Sequence, residues 1–114
     1  IDHVVFHVKD LARSKKFYTE LLGMDVEHES SRQVFLTCGS QGVALFEARD
    51  GAGIHGGDEM NHMALRLKAG DYEKVKTVLE EAGVQVRGRR GDPRCIYFSD
   101  PDGHRLQLLT PAEY

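Results

Sequence analysis

The chain of 114 residues predicts an α+β fold of two tandem βαβββ modules. Three observations carry that expectation. A β-branched, aromatic run is followed by a capped helical stripe and three short strands, and the same order then repeats. A glycine-rich stretch with no apolar period separates the two runs. Landmark residues recur at nearly equal spacing: His3 to Gly23 spans 20 positions and His62 to Gly83 spans 21. A single domain over 1–114 follows, with module 1 at 1–48, a linker at 49–59 and module 2 at 60–114.

The first element, "DHVVFHVK" (2–9), has no breaker and only eight positions, which favours a strand over a helix. His3, Val5 and His7 then share one face, and Val4, Phe6 and Val8 form an apolar face opposite. Asp10 is placed to cap a helix carrying Leu11, Phe17, Tyr18, Leu21 and Leu22, which Gly23 ends. "MDVEHES", "RQVFLTCG" and "GVALFEA" read as three strands, and "RDGAGIHGGDE" (49–59) as the linker.

The second run opens with the strand "MNHMALRLK" (60–68). Asp71 is placed to cap a helix with the stripe Val75, Val78, Leu79 and Ala82, which Gly83 terminates. "VQVRGR" and "RCIYFS" read as strands, "DPDG" (100–103) as a turn and "HRLQLLT" as the last strand.

The bulk numbers exclude several classes. With 40% hydrophobic and 29% charged residues and a net charge of −3, the chain reads as a globular protein without a nucleic-acid or membrane surface. No apolar run reaches the roughly 18 residues of a membrane helix. The two cysteines, Cys38 and Cys95, sit in apolar stretches and form no Cys-x-x-Cys motif, so buried, reduced thiols in a cytoplasmic protein are expected.

Counting within the repeat pairs four ligand-type residues. His3 to Glu47 is 44 positions and His62 to Gln107 is 45. Each module thus places a histidine on its first strand and a carboxylate or carboxamide on its fourth. Polar residues in otherwise apolar strands want partners. Two imidazoles, one carboxylate and one amide oxygen make a mixed N/O set suited to Zn, Ni, Fe, Mn or Co, with positions left for water or substrate.

"DHVVFHVKDLARSKKFYTELLGM", "NHMALRL" and "CIYFSDPDGHRLQLLTP" together resemble the vicinal oxygen chelate superfamily, the glyoxalase, bleomycin-resistance and extradiol-dioxygenase group, over nearly the whole chain. The resemblance implies paired βαβββ modules whose curled, cup-shaped mixed sheet surrounds a divalent metal, with helices on its outer face. It implies His3, Glu47, His62 and Gln107 as the ligands, and a homodimer. Gln107 departs from the glutamate usual at the last-strand position of fosfomycin-type thiol transferases and extradiol dioxygenases. A set of two histidines, one glutamate and one glutamine is similar to that of the epimerases.

On this basis the expected activity is metal-dependent proton transfer of the lyase, isomerase or epimerase kind on a small oxygen-chelating substrate, with Glu47 as the base. Extradiol dioxygenation, fosfomycin-type thiol transfer and metal-free drug binding are the alternatives. His7, Tyr97 and Arg105 are expected at the substrate. The arginines of "RGRRGDPR" (87–94) are read as a solvated loop, and His104 is expected to face away from the metal. His28 and His55 have no supporting context.

Overall fold

A computed structural model describes residues 1–50, 52–54, 59–68, 70–89 and 92–109, with side chains omitted for 89 and 92–95. The chain divides into two compact units, Ile1–His55 and Gly56–Tyr114, so the boundary falls inside the expected linker. His55, Arg90 and part of the linker lie outside the described residues.

In the first unit β1 (His3–Val8) leads into α1 (Leu11–Lys16) and a π-helical turn (Phe17–Leu21). Then follow β2 (Asp25–Glu29), β3 (Gln33–Cys38) and β4 (Gln41–Glu47). The sheet order is β1-β4-β3-β2, with β1 and β4 parallel. The second unit repeats this with β5 (Met63–Arg66), α2 (Tyr72–Glu81), β6 (Arg87–Arg89), β7 (Asp92–Ser99) and β8 (Arg105–Leu109), in the order β5-β8-β7-β6. Two four-stranded mixed sheets of matching topology therefore confirm the α+β repeat.

The helix boundaries follow from caps. Asp10 Oδ1 accepts from Arg13 N at 3.0 Å, as its position predicts. Gly83, at φ 82°, ends α2: its amide donates to Glu80 O and the Val84 amide to Leu79 O, both at 3.0 Å, satisfying two terminal carbonyls. Asp71 precedes α2 but has helical φ and ψ, and its side chain makes no cap hydrogen bond. The expected cap is absent there because capping needs an extended backbone at that position.

Two expected strands are shorter than their apolar runs. The run at 84–89 is strand only over Arg87–Arg89, because the Val84 amide is committed to the helix end. The run at 60–68 is strand only over Met63–Arg66, and the carbonyls of Met60 and Asn61 accept from the Arg105 side chain instead.

Each unit has its own core. Phe6, Val8, Tyr18, Val34, Leu36, Val43 and Leu45 are buried in the first, and Tyr72, Leu79, Ile96, Phe98, Leu106 and Leu108 in the second. Of the stripe expected on α2, Leu79 is buried, Val75 and Val78 are half-buried, and Ala82 is exposed. Cys38 is half-buried, and burial pushes its thiol above the ordinary value. The side chain of Cys95 lies outside the described residues.

Candidate functional site

Strand register decides which polar residues meet. In the second unit Ala64 pairs with Gln107 across β5–β8, and Gln107 pairs with Tyr97 across β8–β7. Paired residues project to the same side, and His62, two positions before Ala64, shares that side. The His62 and Tyr97 rings meet edge to face with centroids 5.6 Å apart. Gln107 is 5% exposed. His62, Tyr97 and Gln107 thus form one polar cluster on one face of the sheet.

The first unit carries the same ladder with different chemistry. Val5 pairs with Ala44, and Ala44 with Phe35. His3 contacts the Phe35 ring edge to face at 6.1 Å, as His62 contacts Tyr97. The structural counterpart of Gln107 is therefore Ala44, not Glu47. Glu47 pairs with Val8, five positions further along β4 than Gly42, the partner of His3. Five strand positions span about 16 Å. The odd offset also turns Glu47 to the opposite face, where its carboxylate lies 3.5 Å from the Arg32 guanidinium.

Nearly equal sequence counts suggest that His3 and Glu47 meet as His62 and Gln107 do; the register separates the first pair. The reason is loop length. His3 to Ala44 spans 41 positions against 45 for His62 to Gln107, and the difference is spread over the connections.

Both first-strand histidines are oriented by the residue before them. His3 Nδ1 donates to Asp2 Oδ1 at 2.8 Å, and His62 Nδ1 to Asn61 Oδ1 at 2.7 Å. An oxygen acceptor at Nδ1 selects the tautomer whose Nε2 carries the free lone pair, the state a metal-binding imidazole needs. The paired "DH" and "NH" dipeptides are a sequence signal for this. Within the second unit an imidazole at His62 and an amide oxygen at Gln107 are donor types that suit a divalent ion, and His3 brings the same donor type to the first unit. No three His, Cys, Asp or Glu side chains converge on one point among the described residues. Glu47, on the opposite face of β4 from His3, does not share that face within the first unit.

The expected substrate residues divide. Tyr97 joins the His62 cluster. Arg105 shares its face, and its guanidinium is engaged with the Met60 and Asn61 carbonyls. His7 is exposed, 6.5 Å from the Phe46 ring, and lines a cavity of about 540 Å³ with Arg32, Glu47 and Arg49.

Two histidines read differently from expectation or beyond it. His28 faces Phe35 at 4.4 Å because the pairing shifts between Val26 and His28, turning it to the His3 face. A bulge of this kind leaves no periodic signal. His104 Nδ1 lies 2.8 Å from Oδ2 of Asp100, whose Oδ1 accepts from the amides of Asp102 and His104 at 2.9 Å. His104 therefore serves the turn.

Comparison with known proteins agrees with this architecture. Residues 1–108 match the family described as the Glyoxalase/Bleomycin resistance protein/Dioxygenase superfamily. The chain is 34% identical over 111 residues to glutathione transferase FosA of Serratia marcescens, covering 95% of this chain and 78% of that protein. It is 32% identical over 114 residues to metallothiol transferase FosB of Staphylococcus saprophyticus, covering 96% and 76%. Its fold matches the crystal structure of the fosfomycin resistance protein FosX from Listeria monocytogenes with TM-score 0.78 at 22% identity, covering 99% and 93% of the two chains. With the ladder repeated in both units and the family match spanning nearly all of them, the chain belongs to the glyoxalase/bleomycin resistance protein/dioxygenase superfamily.

Proposed function

We propose that this chain is a divalent-metal-dependent transferase that joins a low-molecular-mass thiol to a small oxygen-bearing electrophile. The observation that carries the reading is the His62–Tyr97–Gln107 cluster, with His62 held in the tautomer that frees Nε2. The names of the FosA and FosB relatives, a glutathione transferase and a metallothiol transferase, supply the reaction class.

In this reading His62 and Gln107 of the second unit supply ligands to the ion, which can be Zn, Ni, Mn, Fe or Co, and His3 is the ligand-type residue of the first unit. The bound ion would supply Lewis-acid polarisation of substrate oxygens. The Tyr97 hydroxyl, on the His62 face, supplies a hydrogen-bond donor for a substrate oxygen. His7 and Arg49 line a polar cavity with the Arg32–Glu47 pair and offer it donors for a polar part of either substrate. The position of Glu47, on the face opposite His3 and beside Arg32, favours thiol transfer over proton transfer by that carboxylate.

The neutral amide at Gln107 favours a second reading, ligand binding without a metal. One experiment separates the two. Purified protein is incubated with Mn²⁺, fosfomycin and, in turn, glutathione, cysteine or bacillithiol, and products are read by mass spectrometry. A thiol–fosfomycin adduct that needs both protein and metal is expected. Metal binding without any adduct overturns the transferase reading. Absence of metal binding, with fosfomycin retained by the protein, supports sequestration. Sedimentation should give a dimer mass under the same proposal. Among the described residues no helix is long and apolar enough to cross a membrane.

A further inference from the structure

We infer that Arg105 is a positioning residue for the His62 imidazole, acting through the backbone of Met60 and Asn61. The guanidinium Nε donates to the Asn61 carbonyl and a terminal nitrogen donates to the Met60 carbonyl at 3.2 Å. Asn61 Oδ1 in turn accepts from His62 Nδ1 at 2.7 Å. The three contacts form one chain from the guanidinium, through two successive carbonyls and one carboxamide, to the imidazole. A planar fork with donors on adjacent nitrogens suits two successive carbonyls, which a lysine ammonium would not hold in the same way.

The first unit shows what this arm replaces. There the residues before His3 are held by the start of β4: Gly42 N donates to Asp2 O at 2.8 Å, and the side-chain Nε2 of Gln41 donates to Ile1 O at 3.0 Å. Gly42 is the ladder partner of His3. Continuing the β5–β8 register from Met63 and Leu106 by one step makes Arg105 the corresponding partner of His62. In the second unit the regular strand pairing begins only at Met63, and the Arg105 side chain holds the two carbonyls that Gly42 and Gln41 hold in the first. The Asx–His pair is thus supported by the Gly42 amide and the Gln41 side chain in one unit and by an arginine in the other. Loosening the arginine frees Asn61 to leave His62, and the imidazole then reverts toward the mixed tautomers of an unrestrained side chain.

The consequence for metal binding rests on the ligand reading proposed above; the tautomer effect does not. The test uses the full chain, ¹⁵N-labelled and metal-free, at a pH where its imidazoles are neutral. Imidazole ¹⁵N shifts should show His62 as a single Nδ1–H tautomer. In Arg105→Met the His62 signals should move toward a tautomer mixture with Nε2–H, while His3, held by Asp2, is unchanged. Arg105→Lys should restore part of the shift, and Asn61→Ala should reproduce the methionine variant. Should Arg105→Met fail to fold, the comparison of Arg105→Lys with Asn61→Ala decides the matter.

Unaltered His62 shifts in a folded Arg105 variant overturn the inference, whatever happens to metal affinity. Equal movement of the His3 signals also overturns it, since that marks a global structural effect. Calorimetry with Mn²⁺ or Zn²⁺ separates this result from the ligand reading: about a tenfold loss of affinity in Arg105→Met is expected. A tautomer change with unchanged affinity supports the positioning inference and removes His62 from the ligand set.

Discussion

Gln107 lies directly across from Tyr97 in the β7–β8 ladder, on the face where the His62 ring meets the same tyrosine at 5.6 Å. A buried amide thus stands where it can offer an oxygen beside an imidazole, but brings no negative charge. Replacing it with a carboxylate should strengthen divalent-ion binding, because an ionised oxygen donor attracts a dication more strongly than an amide dipole. Gln107→Glu is expected to raise Mn²⁺ affinity by about tenfold, or about 1.4 kcal/mol, in titration calorimetry. An unchanged affinity would remove position 107 from the metal.

The separation of Glu47 from His3 predicts unlike effects for two substitutions. His62→Ala should cost most of the bound metal, measured by elemental analysis after dialysis. Glu47→Gln should retain the wild-type metal content, since it breaks only an exposed contact with Arg32 worth about 1 kcal/mol or less. Loss of metal in Glu47→Gln would restore the ligand set expected from sequence counting.

Gly42 allows His3 to approach β4. A Cβ at position 42 would lie 3.2 Å from His3 Cβ and 3.2 Å from the Leu36 carbonyl oxygen. Both neighbours belong to the sheet and have little room to give. Gly42→Ala should therefore destabilise the protein by about 1 kcal/mol or more, seen as a Tm lowered by several degrees. A Tm equal to wild type would show that β1 shifts without cost.

Burial raises the Cys38 thiol above its ordinary value, which favours the neutral form in the folded state. The sign follows: this contribution to stability is complete below the ordinary thiol value and is lost as pH rises through the raised one. Alkylation at pH 8, resolved by peptide mass spectrometry, should be slower at Cys38 in folded protein than in the denatured chain by more than tenfold. Equal rates would place the thiol in solvent.

Much of the fold was legible in residue types. The apolar face of Phe6 and Val8, the cap at Asp10 and the stops at Gly23 and Gly83 each record a local requirement: alternation, an oxygen acceptor, or positive φ. The repeat was legible for the same reason, since two units with the same local requirements carry the same punctuation. His3, Glu47, His62 and Gln107 could be singled out from that repeat, and Tyr97 from the family resemblance.

Which of those residues share a face was settled only by pairing between distant strands. Sequence separation counts loop residues equally with strand residues, so Glu47 and Gln107 matched in count while Ala44 and Gln107 match in register. A displacement of three positions on a strand reverses the face. Likewise the bulge that turns His28 to Phe35 and the arm of Arg105 onto Met60 and Asn61 depend on groups brought together from different strands. Local chemistry determined the elements and the candidate donors; hydrogen-bond register between strands, a property of the folded sheet, decided which donors can act together.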